Sequence, residues 1–204
     1  MTKEKELQKL KEEMEVHTSL PLANTATLVF GEGSPNASIL FIGEAPGFHE
    51  DKQGRPFVGR AGQLLDELLK ELDWPRESVY ITNIVKRRPP QNRDPLPEEI
   101  DAYKPYLQNQ IDILQPKIIA TLGRFSMNYF LPDAKISKTH GKLMRAKPYV
   151  VYPLYHPAAA LRSSAIKEDL RKDFLRLPQA IAHIEHIPKD SLFSTDASDD
   201  TSSA

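Results

Sequence analysis

Residues 38–60 read SILFIGEAPGFHEDKQGRPFVGR. Ser38 to Ile42 is an apolar run of the length of a buried strand, and the turn Gly43-Glu44-Ala45-Pro46-Gly47 ends it. That turn carries a carboxylate, Glu44, at the strand's carboxyl end, where open α/β sheets bind their ligands. Glu50, Phe57 and Arg60 follow in a short loop. Two carboxylates, an aromatic ring and arginines suit a flat, polar-edged ligand attached to something anionic.

Elsewhere in the chain, apolar spacing alternates between the two regular periods. Leu7, Leu10 and Met14 recur at helical spacing between Lys3 and Val16, and Leu64, Leu65, Leu68, Leu69 and Leu72 define a helix over 62–72 that ends at Trp74-Pro75. Val79–Val85 (VYITNIV) reads as a second strand. Pro97-Glu98-Glu99 starts a helix that runs to Pro116, and Ile118–Leu122 is a third strand followed by a short helix from Gly123 to Phe130. Tyr149–Leu154 is a fourth strand, and a closing helix over Ile166–Ile184 is interrupted near Pro178. Strands that are nearly continuous in apolar residues and alternate with helices predict an α/β fold with a parallel sheet covered on both faces. Gly31–Asn36 reads as a turn; its Gly-x-Gly lacks the helix-opening third glycine of a dinucleotide site. One domain is expected over residues 1–188, with a disordered Ser/Asp-rich tail over 189–204.

Bulk properties exclude several classes of protein. With 204 residues and a net charge of −1, the chain has no overall bias toward nucleic acid or membrane, so any such preference is local. The absence of cysteine rules out disulfides, thiolate catalysis and Cys-ligated metal. No apolar run approaches the roughly 18 residues of a membrane span, and the amino terminus is too charged for a signal peptide, which predicts a soluble, cytoplasmic protein, expected as a monomer. There is no P-loop. His183 and His186 are spaced i, i+3 without a nearby third ligand, so no metal site is expected.

The predicted strand ends gather the remaining chemistry along one edge. Taken singly, each residue has an ordinary reading: Glu44 caps a turn, Asn83 ends a strand, Phe57 fills the core, and His156 before a proline is structural. Taken together they supply an amide that donates and accepts, a ring that stacks, an imidazole and two carboxylates. The run Lys86-Arg87-Arg88-Pro89-Pro90-Gln91-Asn92-Arg93, with Arg55, Arg60 and Arg162 from neighbouring loops, is local basicity of the kind that phosphate contact needs.

The motifs GEAPG, GRPFVGRAGQLL, YITNIVKRRPPQNRDP, LGR and HPAAALR, in this order and spacing, resemble the family 4 uracil-DNA glycosylases of bacteria and archaea. The likeness runs from about Val29 to Leu177. It implies a three-layer α/β/α sandwich around a central four-stranded parallel sheet, and hydrolysis of the bond joining uracil to deoxyribose in single- or double-stranded DNA. It implies that Glu44, Glu50 and His156 are catalytic, with His156 facing uracil O2. Gly43, Ala45, Phe57 and Asn83 would bind the base, Phe57 beneath it and Asn83 on its edge. Arg60, Lys86, Arg88, Arg93, Leu161 and Arg162 would contact DNA, Leu161 and Arg162 from the loop that enters the helix. Glu44 either positions the attacking water or organises the base pocket.

The chain also departs from that family. Its usual members hold a [4Fe–4S] cluster on cysteines that here correspond approximately to His17, Leu20, Arg87 and Tyr103; leucine and arginine cannot ligate iron, so the cluster is expected to be absent, with Arg87 stacked on Tyr103 in its place. Phe48 stands where an acid usually follows GEAPG. The expected activity is monofunctional release of uracil, leaving an abasic site. The alternatives are a base range shifted to hypoxanthine or xanthine, and a non-catalytic DNA-binding homologue.

Overall fold

The apolar run Ile39–Gly43 is buried at every position and forms a strand in the middle of a sheet. In the computed structural model, which describes residues 1–186, the elements are α1 (Lys3–Val16), β1 (Glu32–Gly33), β2 (Ile39–Gly43), α2 (Phe48–Gln53), α3 (Arg60–Glu71), β3 (Tyr80–Asn83), α4 (Pro97–Leu114), β4 (Ile118–Leu122), α5 (Arg124–Phe130), α6 (Ile136–Thr139), β5 (Met144–Ala146), β6 (Tyr149–Leu154), α7 (Pro157–Ala160), α8 (Ser164–Phe174) and α9 (Leu177–His186). The expected tail over 189–204 lies outside the described residues.

The sheet order is β1-β3-β2-β4-β6-β5. Its central four strands, β3, β2, β4 and β6, are parallel, as expected; β1 and β5 add short antiparallel edges. Successive β2 side chains point to opposite faces. Ile39 and Phe41 pack with Leu64, Leu65, Leu68 and Leu69 of α3 and with Leu170 and Phe174 of α8. Leu40 and Ile42 pack with Leu7, Leu10 and Met14 of α1 and with Tyr103, Leu107 and Ile111 of α4. Full burial of each such side chain contributes about 1.5–3 kcal/mol, so both helix layers are held by the same short strand.

The chain leaves β2 for β3 on one side and later returns to β4 on the other, so the carboxyl end of β2 lies where the strand order reverses. Sheets of this kind open a crevice at that point.

Local differences from expectation have local causes. The turn at Gly31–Asn36 contains the two-residue β1, which pairs Glu32 with Ile81. The closing helix breaks after Phe174, and Pro178 falls in the first turn of α9, where its missing N–H costs nothing. Two residues of the basic run are core residues. Lys86 is fully buried, and its Nζ donates to Thr82 Oγ1 at 2.7 Å, to the carbonyl of Asn83 at 2.7 Å and to Gln110 Oε1 at 2.5 Å. It cannot reach a phosphate, which corrects its expected place among the DNA contacts; burial also lowers its pKa. Arg87 is buried beside Tyr103, but a hydrogen bond joins them rather than the expected stacking: Nη1 donates to the phenol at 3.2 Å, and the phenol donates to the carbonyl of Pro21 at 2.6 Å.

Lys86→Met keeps the aliphatic stem and removes the donors. With several buried acceptors left unpaired at about 1–3 kcal/mol each, it should lower the urea unfolding free energy by about 3 kcal/mol in all. A loss under about 1 kcal/mol would mean that the ammonium is dispensable to the fold.

Candidate active site

At the carboxyl ends of the parallel strands the register does the first part of the assembly. Gly43 of β2 lies opposite Asn83 of β3, so the backbone of one and the amide of the other share one level. Asn83 is 2% exposed. A Cβ on Gly43 would lie 2.4 Å from Asn83 Oδ1 and 2.6 Å from the Phe57 ring, so only glycine lets the amide and ring converge there. Lys86 fixes the Asn83 carbonyl from behind.

Phe57 reaches this point through an unusual backbone. Its φ is +50°, a region that non-glycine residues avoid. Glu50 holds the loop in that shape: Oε1 accepts from the N–H of Val58 at 2.9 Å and of Gly59 at 2.7 Å, and Oε2 accepts from Gly47 at 3.2 Å. One carboxylate therefore ties the turn after β2 to the start of α3. Gly62 completes the fit, because a Cβ there would lie 1.8 Å from the Phe57 carbonyl.

His156 follows β6 and caps α7. The amide of Ala158 donates to its Nδ1 at 3.0 Å, and its ring centroid lies 5.7 Å from that of Phe57 at an interplanar angle of 30°. Burial, aided by the positive charge of Arg162 and opposed by Glu50, pushes its pKa down to about 4. The imidazole is neutral at physiological pH, and because Nδ1 is an acceptor its proton is on Nε2.

Asn83, Phe57, Glu50 and His156 line a cavity of about 250 Å³ together with Glu44, Ala45, Ala61 and residues of the Pro89–Arg93 loop, while Gly43 lies behind its wall. Glu44 is half-buried in it. Burial and the nearby negative charge of Asp94, opposed by Arg124, raise its pKa to about 7. Asp94 and Arg124 themselves pair at 3.0 Å.

The expected contact residues divide by environment. Arg60, Leu161 and Arg162 are exposed, Leu161 at 38%. Arg88 donates to Asn92 Oδ1 at 2.6 Å and lies against the Phe48 ring. Arg93 reaches the cavity wall, but its guanidinium is paired with both oxygens of Glu99, at 2.9 and 2.6 Å. Arg55 turns away to Glu32 at 2.7 Å. Sequence reasoning missed Asp94 as a neighbour of Glu44, and Pro89 and Asn92 as cavity wall. Nothing in their spacing marks them, although they belong to a proline-stiffened loop whose importance was visible.

The positions that correspond to cluster cysteines do not fit an iron-sulfur group. Leu20 is apolar and buried, Arg87 donates to the Tyr103 hydroxyl and to the Met14 carbonyl while its buried Nε has no hydrogen-bond partner among the described residues, Tyr103 donates to the Pro21 carbonyl, and His17 Nδ1 is bonded to the Tyr106 hydroxyl at 2.5 Å. Among the described residues, no group of His, Asp and Glu side chains is placed to hold a metal ion, and no helix is long and apolar enough to cross a membrane.

Residues 30–177 match the model of the uracil DNA glycosylase superfamily. The chain is 48% identical over 182 residues to a type-4 uracil-DNA glycosylase of Sulfurisphaera tokodaii, covering 84% of this chain and 83% of the relative. It is 41% identical over 184 residues to the type-4 enzyme of Thermotoga maritima, covering 84% and 94%. A type-5 uracil-DNA glycosylase of Thermus thermophilus is more distant, at 33% over 124 residues and covering 53% and 56%. With the fold, the switch-point cavity and these relatives in agreement, the chain belongs to the uracil DNA glycosylase superfamily.

Proposed function

We propose that the protein is a DNA-repair hydrolase that flips uracil out of DNA and hydrolyses its N-glycosidic bond, leaving an abasic site. The observation that carries this reading is the convergence of the Asn83 amide, the Phe57 ring and a neutral His156 on one base-sized cavity. A base in a duplex is unreachable to such a cavity, so it must be extruded, at a cost of a few kcal/mol in pairing and stacking. Leu161, exposed beside Arg162, is suited to fill the gap, and Arg60, Arg88 and Arg162 to hold the phosphates.

The amide of Asn83 can accept from uracil N3–H and donate to O4. Cytosine reverses both groups and leaves the buried amide mismatched. Cleavage puts positive charge on the sugar and negative charge on the departing base. His156 Nε2–H donates to O2 and stabilises that anion without first giving up a proton. Glu44, as the free carboxylate of the cavity, takes the proton of the attacking water. Glu50, whose oxygens are occupied by backbone amides, acts as a positioning residue that keeps Phe57 in place. Among the described residues no lysine lines the cavity, so release without strand cleavage is the expected outcome.

The reading is tested on a uracil-containing oligonucleotide. Strands that break only after alkali treatment are expected, and DNA that stays intact after alkali at near-stoichiometric enzyme would overturn it. His156→Ala should lower the single-turnover rate by roughly 10²–10³, the usual cost of losing one preorganised donor to a developing anion.

The charge of Glu44 fixes the pH profile. Its carboxyl is protonated below about 7 and a competent base above it, so uracil release should rise with pH through about 7. Glu44→Gln should slow the reaction and erase that limb; a limb retained in the variant would assign it to another group.

We also infer that the protein works without an iron-sulfur cluster, since packing and hydrogen bonds fill the corresponding corner. Purified, active protein should contain far less than one cluster equivalent of iron by elemental analysis, and activity that tracks iron content would refute this.

A further inference from the structure

One exposed aromatic ring stands at the edge of the cavity. Phe48, the first residue of α2, is 43% exposed. The ammonium of Lys52 lies 4.4 Å from its centroid and the guanidinium of Arg88 lies 5.1 Å from it. Lys52 is a helical i, i+4 neighbour, so its contact is local. Arg88 is not. It comes from the loop after β3, and its Nε is tied to Asn92, a residue of the cavity wall. On the other side of Phe48 in sequence, Pro46 and Gly47 are cavity wall as well. The ring and its cations thus form a continuous lip between two walls of the cavity.

We propose that Phe48, Arg88 and Lys52 form a platform on which an unpaired nucleobase, adjacent to the flipped nucleotide on the same strand, stacks. An accessible ring flanked by cations is the pairing that single-stranded nucleic acid requires: the ring takes the π-face of a base of any identity, and the cations take the phosphates on either side of it. Cation contacts to an exposed ring are weak enough to exchange for a base, and Arg88 and Lys52 then turn their charges to the backbone. In a duplex, neighbouring bases are paired and stacked on one another, so the same ring has little to receive. The platform therefore favours single-stranded DNA. This inference rests on the DNA-glycosylase reading for its ligand class, but it concerns binding and not cleavage.

The test measures equilibrium binding of the full chain to a fluorescent oligonucleotide without uracil, single-stranded and as a duplex. Phe48→Ala should weaken single-strand binding about tenfold, within the range of one lost base–aromatic stack, and duplex binding by about twofold at most. Phe48→Trp should keep wild-type affinity, and Phe48→Leu, apolar but not aromatic, should lose as much as alanine. No loss in Phe48→Ala, an equal loss on both DNAs, or full affinity in Phe48→Leu would each overturn the platform. Because the probe contains no uracil, wild-type protein that releases no uracil would end the glycosylase reading and leave this result standing on its own.

Discussion

The site depends on a missing side chain. At Gly43 the central strand ends, the sheet order reverses, and the Asn83 amide and the Phe57 ring press against the same Cα from two directions. A methyl group there would occupy the space of both. The strand that anchors both helix layers thus ends in the one residue type that lets a neighbouring strand and a distant loop build a base-sized floor. Core and cavity are continuous: Phe41 and Phe57 belong to the same cluster of buried residues.

Charge is managed around that floor by committing it or removing it. Glu50 keeps a carboxylate at the site but spends it on three backbone amides, so its charge organises structure. His156 is kept neutral by burial, which makes it a donor of fixed tautomer. Glu44 has no such clasp, and burial beside the negative charge of Asp94 raises its pKa to about 7, where its charged and protonated forms are nearly balanced at neutral pH. Two acids in the same short segment are separated by their surroundings and not by their chemistry.

That separation explains what was legible in the sequence. The strands were legible because buried parallel strands are continuous apolar runs, and the strand ends exposed Glu44, Asn83 and His156 as a group. The edge strands β1 and β5 were not, since two or three half-exposed residues carry no period. Lys86 was misplaced for a related reason: in a run of basic residues nothing in sequence marks the one whose ammonium meets three acceptors in the interior. Glu44 and Glu50 were likewise equivalent on paper, because the amides that distinguish them come from Val58 and Gly59, brought back by a loop whose conformation has a positive φ at a phenylalanine.

The corner where relatives of the resembled family would carry their cluster is joined to the site by a short path of contacts. Arg87 and Tyr103 join the start of the β3–α4 loop to α4 and to the segment after α1, on the face of the sheet packed by Leu40 and Ile42. The groups that shape the floor, Phe57 and the Glu50 amide clasp, are organised from the opposite face by α3. The link between the two faces is Lys86, next to Arg87 in sequence and bonded to the Asn83 carbonyl and to Gln110 of α4. A hydrogen-bonded corner needs only to keep Lys86 in register for Asn83 to stay level with Gly43. That is a requirement on backbone position, which the buried hydrogen bonds of Lys86 meet.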